Sequence, residues 1–182
     1  MKGLMIIASG FEDNEALTTL DILKRSKLII DAATVNNDKK VISQSGLNLV
    51  FEKSINDISL DDYDFLIIPG GGAVNKTLVK LKEVEIIINH FVMKKQLVAC
   101  ICAAPLLVGR LGHFKNEKYT CFPGCDEIIT EGTYLKNKGV VVSNNFITAK
   151  AMAYSIDFSL AIIEYLQGKS QKELIERSIK GE

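Results

Sequence analysis

Short apolar runs alternate along the chain with stretches whose apolar residues recur at helical spacing. Ile6-Ile7-Ala8, stopped by Ser9-Gly10, reads as a strand, and residues 14–25 place Ala16, Leu17, Leu20, Ile22 and Leu23 at helical spacing. Residues 28–35 predict a second strand and residues 47–51 one strand of a small hairpin. Phe65-Leu66-Ile67-Ile68 predicts a fully buried strand, stopped by Pro69-Gly70-Gly71-Gly72. Helices are predicted over 75–81 and 84–95, a further buried strand over 97–101, and a short helix over 103–111. Pro105 falls in the first turn of that helix, where a missing N–H costs little. After an irregular region, residues 140–142 and 146–148 pair around Ser143-Asn144-Asn145. Residues 154–166 form an amphipathic helix ended by Gly168, and Ser170 with Glu173 reads as a capping box for a last helix over 171–178. Strands alternating with helices imply right-handed βαβ units, hence an α/β fold with a parallel sheet covered on both faces.

At 182 residues the chain is expected to form one domain, 1–182, around one core. With 47% hydrophobic and 24% charged residues it is neither a disordered nor a coiled-coil chain. Lys plus Arg balance Asp plus Glu at 22 each, so no bulk field attracts nucleic acid or an anionic membrane. Small molecules or proteins are the expected partners. The apolar opening is short and runs into Glu12-Asp13 without a cleavage-like site, so it reads as a strand and not as a leader. Charged residues such as Asp31, Asp64, Lys94 and Asp157 interrupt every stretch that approaches the roughly 18 apolar residues of a membrane span. A cytoplasmic location is expected, and with it four free thiols, Cys100, Cys102, Cys121 and Cys125.

In a doubly wound sheet, ligands bind beyond the carboxyl ends of the strands, which directs attention to residues 9–15, 69–73 and 102–105. Val98-Ala99-Cys100-Ile101-Cys102-Ala103-Ala104-Pro105 joins an apolar strand to a helix through a cysteine and two small residues. A sharp turn there lifts Cys102 above the sheet in a strained conformation, resembling a nucleophile elbow, and a helix N-terminus favours its thiolate. A thiol below the ordinary cysteine pKa is therefore expected; the alternative is a small buried side chain. Glu12 and Asp13 read as partners of a helix N-terminus. Glu15 falls where it reaches across the strand ends towards Cys102, and a carboxyl kept protonated there donates a hydrogen bond to a thiolate. Gly70, Gly71 and Gly72 lack the Gly-Lys-Ser/Thr spacing of a phosphate loop. They form either a plain turn or a set of unobstructed amides that, with the amide of Ala103, stabilise an oxyanion. His90 and His113 read as solvated, and C-x-C with C-x₃-C does not match a zinc knuckle, so neither a histidine base nor a metal is assigned.

Taken together, Ser9-Gly10-Phe11-Glu12-Asp13-Asn14-Glu15, Ile68-Pro69-Gly70-Gly71, Ala99-Cys100-Ile101-Cys102-Ala103-Ala104-Pro105, Thr120-Cys121-Phe122-Pro123-Gly124 and Ile156-Asp157-Phe158-Ser159-Leu160-Ala161 resemble the ThiJ/PfpI superfamily. The likeness is to its DJ-one-like branch, including bacterial members. The resemblance implies a flavodoxin-like three-layer sandwich of the class I glutamine-amidotransferase type and a homodimer. It makes Cys102 the reactive cysteine, Glu15 its protonated partner, and Gly71 with Ala103 the amide donors. It also implies either cofactor-free glyoxalase or deglycase chemistry on reactive dicarbonyls, or a non-catalytic role as an oxidative-stress sensor or redox chaperone through oxidation of Cys102, with peroxide as the small-molecule partner. Three departures matter. Ala103 stands where the protease-like branch has a histidine, so protease activity is not expected. Phe122 occupies a place where some members carry a histidine. Thr148-Ala149-Lys150-Ala151-Met152-Ala153 replaces an arginine and a Gly-Pro-Gly turn, reshaping one pocket wall. Cys121, beside Phe122, is either a wall residue that resolves an oxidised Cys102 or a small buried side chain.

Overall fold

The computed structural model describes residues 1–182. Strand β1 (Lys2–Ile7) leads into helix α1 (Asp13–Arg25), and β2 (Ile29–Thr34) returns beside β1. An antiparallel hairpin, β3 (Lys40–Ile42) with β4 (Asn48–Val50), precedes a short edge strand, β5 (Lys53–Ser54). Next come β6 (Phe65–Ile68), α2 (Gly72–Lys76), α3 (Lys82–Met93), β7 (Leu97–Ile101) and α4 (Pro105–Gly109). The chain closes with a small pair, β8 (Lys118–Tyr119) and β9 (Thr133–Tyr134), the strands β10 (Val140–Ser143) and β11 (Phe146–Ala149), and the helices α5 (Ser155–Gln167) and α6 (Lys169–Lys180).

Seven strands form the main sheet in the order β10-β11-β7-β6-β1-β2-β5, all neighbours parallel except β10 and β11. Its five central parallel strands follow the flavodoxin winding, in which the order reverses between β1 and β6. Helices cover both faces, which explains why β6 and β7 are buried at every position and read as unbroken apolar runs. Phe11, Phe65, Phe91, Phe114 and Phe158 are among the largest fully buried side chains of a contiguous core.

Several elements depart from the sequence expectation for local reasons. The helix predicted over 75–81 instead starts at Gly72, because Gly71 at φ 93° turns the chain at once, and it ends at Thr77, whose backbone leaves the helical region. The helix after Cys102 is limited to Pro105–Gly109, since residues 102–104 are consumed by the turn. Ser170 caps nothing: α6 begins directly after Gly168, whose φ of 88° ends α5 and starts α6 in one residue. The strands β5, β8 and β9, two residues each, carried no periodicity to read.

Candidate active site

The end of β7 is built to lift one side chain. Cys102 has φ 64°, a left-handed conformation that disfavours residues with a Cβ by about 1–3 kcal/mol. Two backbone bonds hold it there: its N–H donates to Ala149 at 2.8 Å, and its carbonyl accepts from the N–H of Phe122 at 2.8 Å. Ala104 closes the turn onto Ile101 at 3.0 Å, and Pro105 opens α4. Helix α4 has only five residues, so its dipole is small. The groups that act on the sulfur are the individual amides of Gly71 and Ala103, which favour the charged thiol.

Across the reversal in strand order, the ends of β1 and β6 are zipped together. Glu12 N–H donates to Gly70 at 3.1 Å and Ala73 N–H to Gly10 at 3.0 Å, with Phe11 bridging to Gly71. Glu12 caps α1, its Oε2 accepting from Glu15 N–H at 2.7 Å. Asp13 instead ties the hairpin down, accepting from Ser45 Oγ at 2.6 Å and Ser45 N–H at 3.0 Å. Glu15 is then 1% exposed, with Oε2 accepting from Gly70 N–H at 2.8 Å. Gly70 is the spacer of the site. A Cβ on it would sit 2.6 Å from Glu15 Oε2 and 2.7 Å from Cys102 Cβ. Its amide is committed to Glu15, so Gly70 is corrected from the expected oxyanion set, which leaves Gly71 and Ala103.

Burial pushes the Glu15 carboxyl up to about 7, against the opposing hydrogen bonds of Cys102 and Gly70. Burial, then the charge and hydrogen bond of Glu15, push the Cys102 thiol up, opposed by the amides of Gly71 and Ala103. The expected low thiol pKa is therefore reversed while Glu15 is ionised. Two adjoining acids in one buried site resist ionising together, so a single negative charge is favoured over two.

The two groups open onto a cleft of about 440 Å³ also lined by Glu12, Gln44, Asn75, Phe122, Cys125 and Met152. Phe122, 48% exposed, forms a wall. Met152 and Ala151 come from the segment that departs from the family pattern, and Lys150 turns away, donating to the carbonyl of Lys136 at 2.9 Å. Cys121 is fully buried and does not line the cleft; Cys125 does. Sequence reading missed Gln44, Asn75 and Cys125, which are ordinary loop and helix residues until the fold brings them together. Both histidines are half-buried, not solvated, and neither lines the cleft: His113 bonds Asn89 at 2.6 Å and His90 packs edge-on against Phe91. No group of three metal-ligating side chains converges. A larger depression, about 720 Å³, lies between α1, α5 and α6 and contains no thiol.

The fold and this cleft define a class: flavodoxin-wound α/β proteins with a cysteine at a strand-to-helix turn and a buried glutamate beside it. Residues 1–165 match the DJ-1/PfpI family, and the chain belongs to it. Protein DJ-1alpha of Drosophila melanogaster is 31% identical over 92% of this chain and 78% of its own length. The glutathione-independent glyoxalase DJ-1 of Schizosaccharomyces pombe is 28% identical over 98% of each chain. An oxidized DJ-1 from Toxoplasma gondii superposes with a TM-score of 0.88 at 26% identity, covering 98% of this chain and 97% of that one. Of Protein DJ-1 homolog B from Arabidopsis thaliana, 28% identical, the chain covers 92% of its own length but spans only 38% of the relative. No helix is long and apolar enough to cross a membrane.

Proposed function

We propose that the cleft converts small reactive dicarbonyls to hydroxy acids by cysteine chemistry without a cofactor, as a glyoxalase or deglycase. The observation that carries this reading is the strained Cys102 at the floor of a cleft with the buried Glu15 carboxyl packed beside it across Gly70. With methylglyoxal, the Cys102 thiolate adds to the aldehyde carbon while the carbonyl oxygen takes the proton from Glu15, giving a hemithioacetal. Glu15, now a carboxylate, removes the former aldehyde hydrogen as a proton, leaving an enediolate. Returning that proton to the neighbouring carbon, as the hydroxyl proton of the sulfur-bearing carbon passes to the neighbouring oxygen, gives a lactoyl thioester, and water releases lactate and restores the thiol. The backbone amides stabilise the oxyanions of the addition and hydrolysis steps. One carboxyl performs every proton transfer, so turnover is slow. The named activity of the fission-yeast relative supports this reading.

Lactate formation from methylglyoxal without glutathione is the test. Wild type should turn over, and Cys102→Ser should be inactive. Equal background rates in the two overturn the proposal. A second reading, sensing by oxidation of Cys102, is favoured by the strained, partly exposed thiol and by the oxidized Toxoplasma relative. It predicts sulfinate on Cys102 after peroxide and no lactate. The homodimer implied by the family and a reducing cytoplasmic setting, which suits four free thiols, complete the proposal.

A further inference from the structure

The charge balance of the cleft bears on which carbonyl compounds enter it. Its ionisable lining groups are Glu12, Glu15, Cys102 and Cys125, with no Lys, Arg or His among them. Lys150 is turned out of the cleft onto the carbonyl of Lys136. Lys76, an exposed side chain of α2, approaches Gly72 at the rim without lining the cleft. Glu12 is different in kind from a flexible surface acid. The hydrogen bond from Glu15 N–H pins its Oε2, so its charge is fixed in the wall. Gln44 is oriented as well: its Oε1 accepts from Gly72 N–H at 3.0 Å, which turns its amide NH₂ outward as a donor. The amides of Gly71 and Ala103 address the sulfur and offer nothing to a second anionic group.

We infer that the cleft admits uncharged or cationic carbonyl compounds and rejects those bearing a carboxylate or phosphate, with the fixed charge of Glu12 as the discriminating element and Gln44 as the neutral donor that orients a second carbonyl oxygen. The inference deepens the dicarbonyl reading and rests on it for the nature of the substrate. An anion in the cleft meets Glu12 and the negative charge of the Cys102–Glu15 pair in a partly desolvated space, where unlike the situation in open water repulsion is not fully screened.

Selection by charge is measurable without turnover. Iodoacetamide and iodoacetate have nearly the same shape and differ by one charge, so the ratio of their rates at Cys102 reports the field, and the thiolate fraction cancels. Wild type should favour iodoacetamide over iodoacetate about tenfold more strongly than a free cysteine derivative does at the same pH and low salt, and added salt should narrow the gap. Glu12→Gln, which keeps an acceptor for the Glu15 amide, should lower the ratio about threefold or more. Asn75→Lys places a cation in the lining and should lower it independently of the cap, while Lys76→Gln should raise it slightly. Methylglyoxal should protect Cys102 from iodoacetamide at far lower concentration than glyoxylate. A wild-type ratio equal to that of the free thiol overturns the inference, as does a ratio unmoved by both Glu12→Gln and Asn75→Lys in folded protein. Absence of lactate with a skewed ratio sinks the dicarbonyl reading and leaves the charge selection standing.

Discussion

At Cys102, the conformation that exposes the thiol also opposes it. A residue with a Cβ at φ 64° is strained, whereas glycine is not. Cys102→Gly should therefore be about 1 kcal/mol more stable than Cys102→Ala, as read by urea unfolding; equal stabilities mean the turn is relaxed. The same exposure orders the thiols. Limited iodoacetamide should modify Cys102 before Cys125, and leave Cys100 and Cys121, both fully buried with thiols pushed up by burial, unmodified. Modification of Cys121 first removes Cys102 from its assigned role. Glu15 gives a pH signature whose sign follows from its elevated pKa. Because burial raises the carboxyl from 4.5 to about 7, the folded state binds the proton more tightly than the unfolded chain. That contribution is fully present below about 4.5 and is lost as pH rises towards 7, by roughly 1.4 kcal/mol per unit and roughly 3 kcal/mol at most. Glu15→Gln should lack this decline, so its stability relative to wild type should rise between pH 4.5 and 7. A pH-independent difference would place the proton elsewhere.

At the scale of elements, the site exists because three strand ends meet where the sheet reverses its order. The strands β1, β6 and β7 were legible as apolar runs, and so were the turn residues that stop them, which is why Glu15, Gly71, Cys102 and Ala103 were named from sequence. What the sequence did not display was the partner of each amide. Gly70 and Gly71 are neighbours in the same glycine run, yet one amide faces Glu15 Oε2 and the other the Cys102 sulfur, a division set by the bridge from Phe11 to Gly71. Gln44 was equally hidden, since it reaches the cleft only because Asp13 fastens the hairpin through Ser45. Cys121 was the thiol of this loop that the sequence singled out, yet the turn at residues 122–125 leaves it in the core and brings Cys125 to the cleft. Gly70→Ala tests the convergence. The added methyl has to displace Glu15 or Cys102, both within 2.7 Å of it. Alkylation of Cys102 should slow tenfold or more in a protein that still folds, since β6 itself is untouched. An unchanged rate means the three strand ends are not closely packed.

For the whole molecule, a formal charge of zero leaves no long-range repulsion between copies, so association is decided by local apolar surface. The depression between α1, α5 and α6 provides such a surface. Leu17 and Ile156 are 38% and 49% exposed on its rim, with Leu160 and Ile179 lining it, and the charges of Asp21, Arg25 and Lys180 beside them are paired within the chain, Arg25 with Asp21 and Lys180 with Glu176. Helix α1 carries Leu17 on this face and Glu15 on the buried one, so a second copy packed here would brace the helix that positions the Cys102 partner. Stable dimers bury on the order of 800 Å² per partner, and replacing central apolar residues by charges removes that burial while leaving the core of each chain intact. Sedimentation equilibrium of wild type should give a dimer, and Leu17→Glu with Ile156→Glu a folded monomer whose Cys102 reacts at an altered rate through the loosened α1. A double variant that stays dimeric assigns the contact to another face, and a monomeric wild type removes the dimer from the proposal.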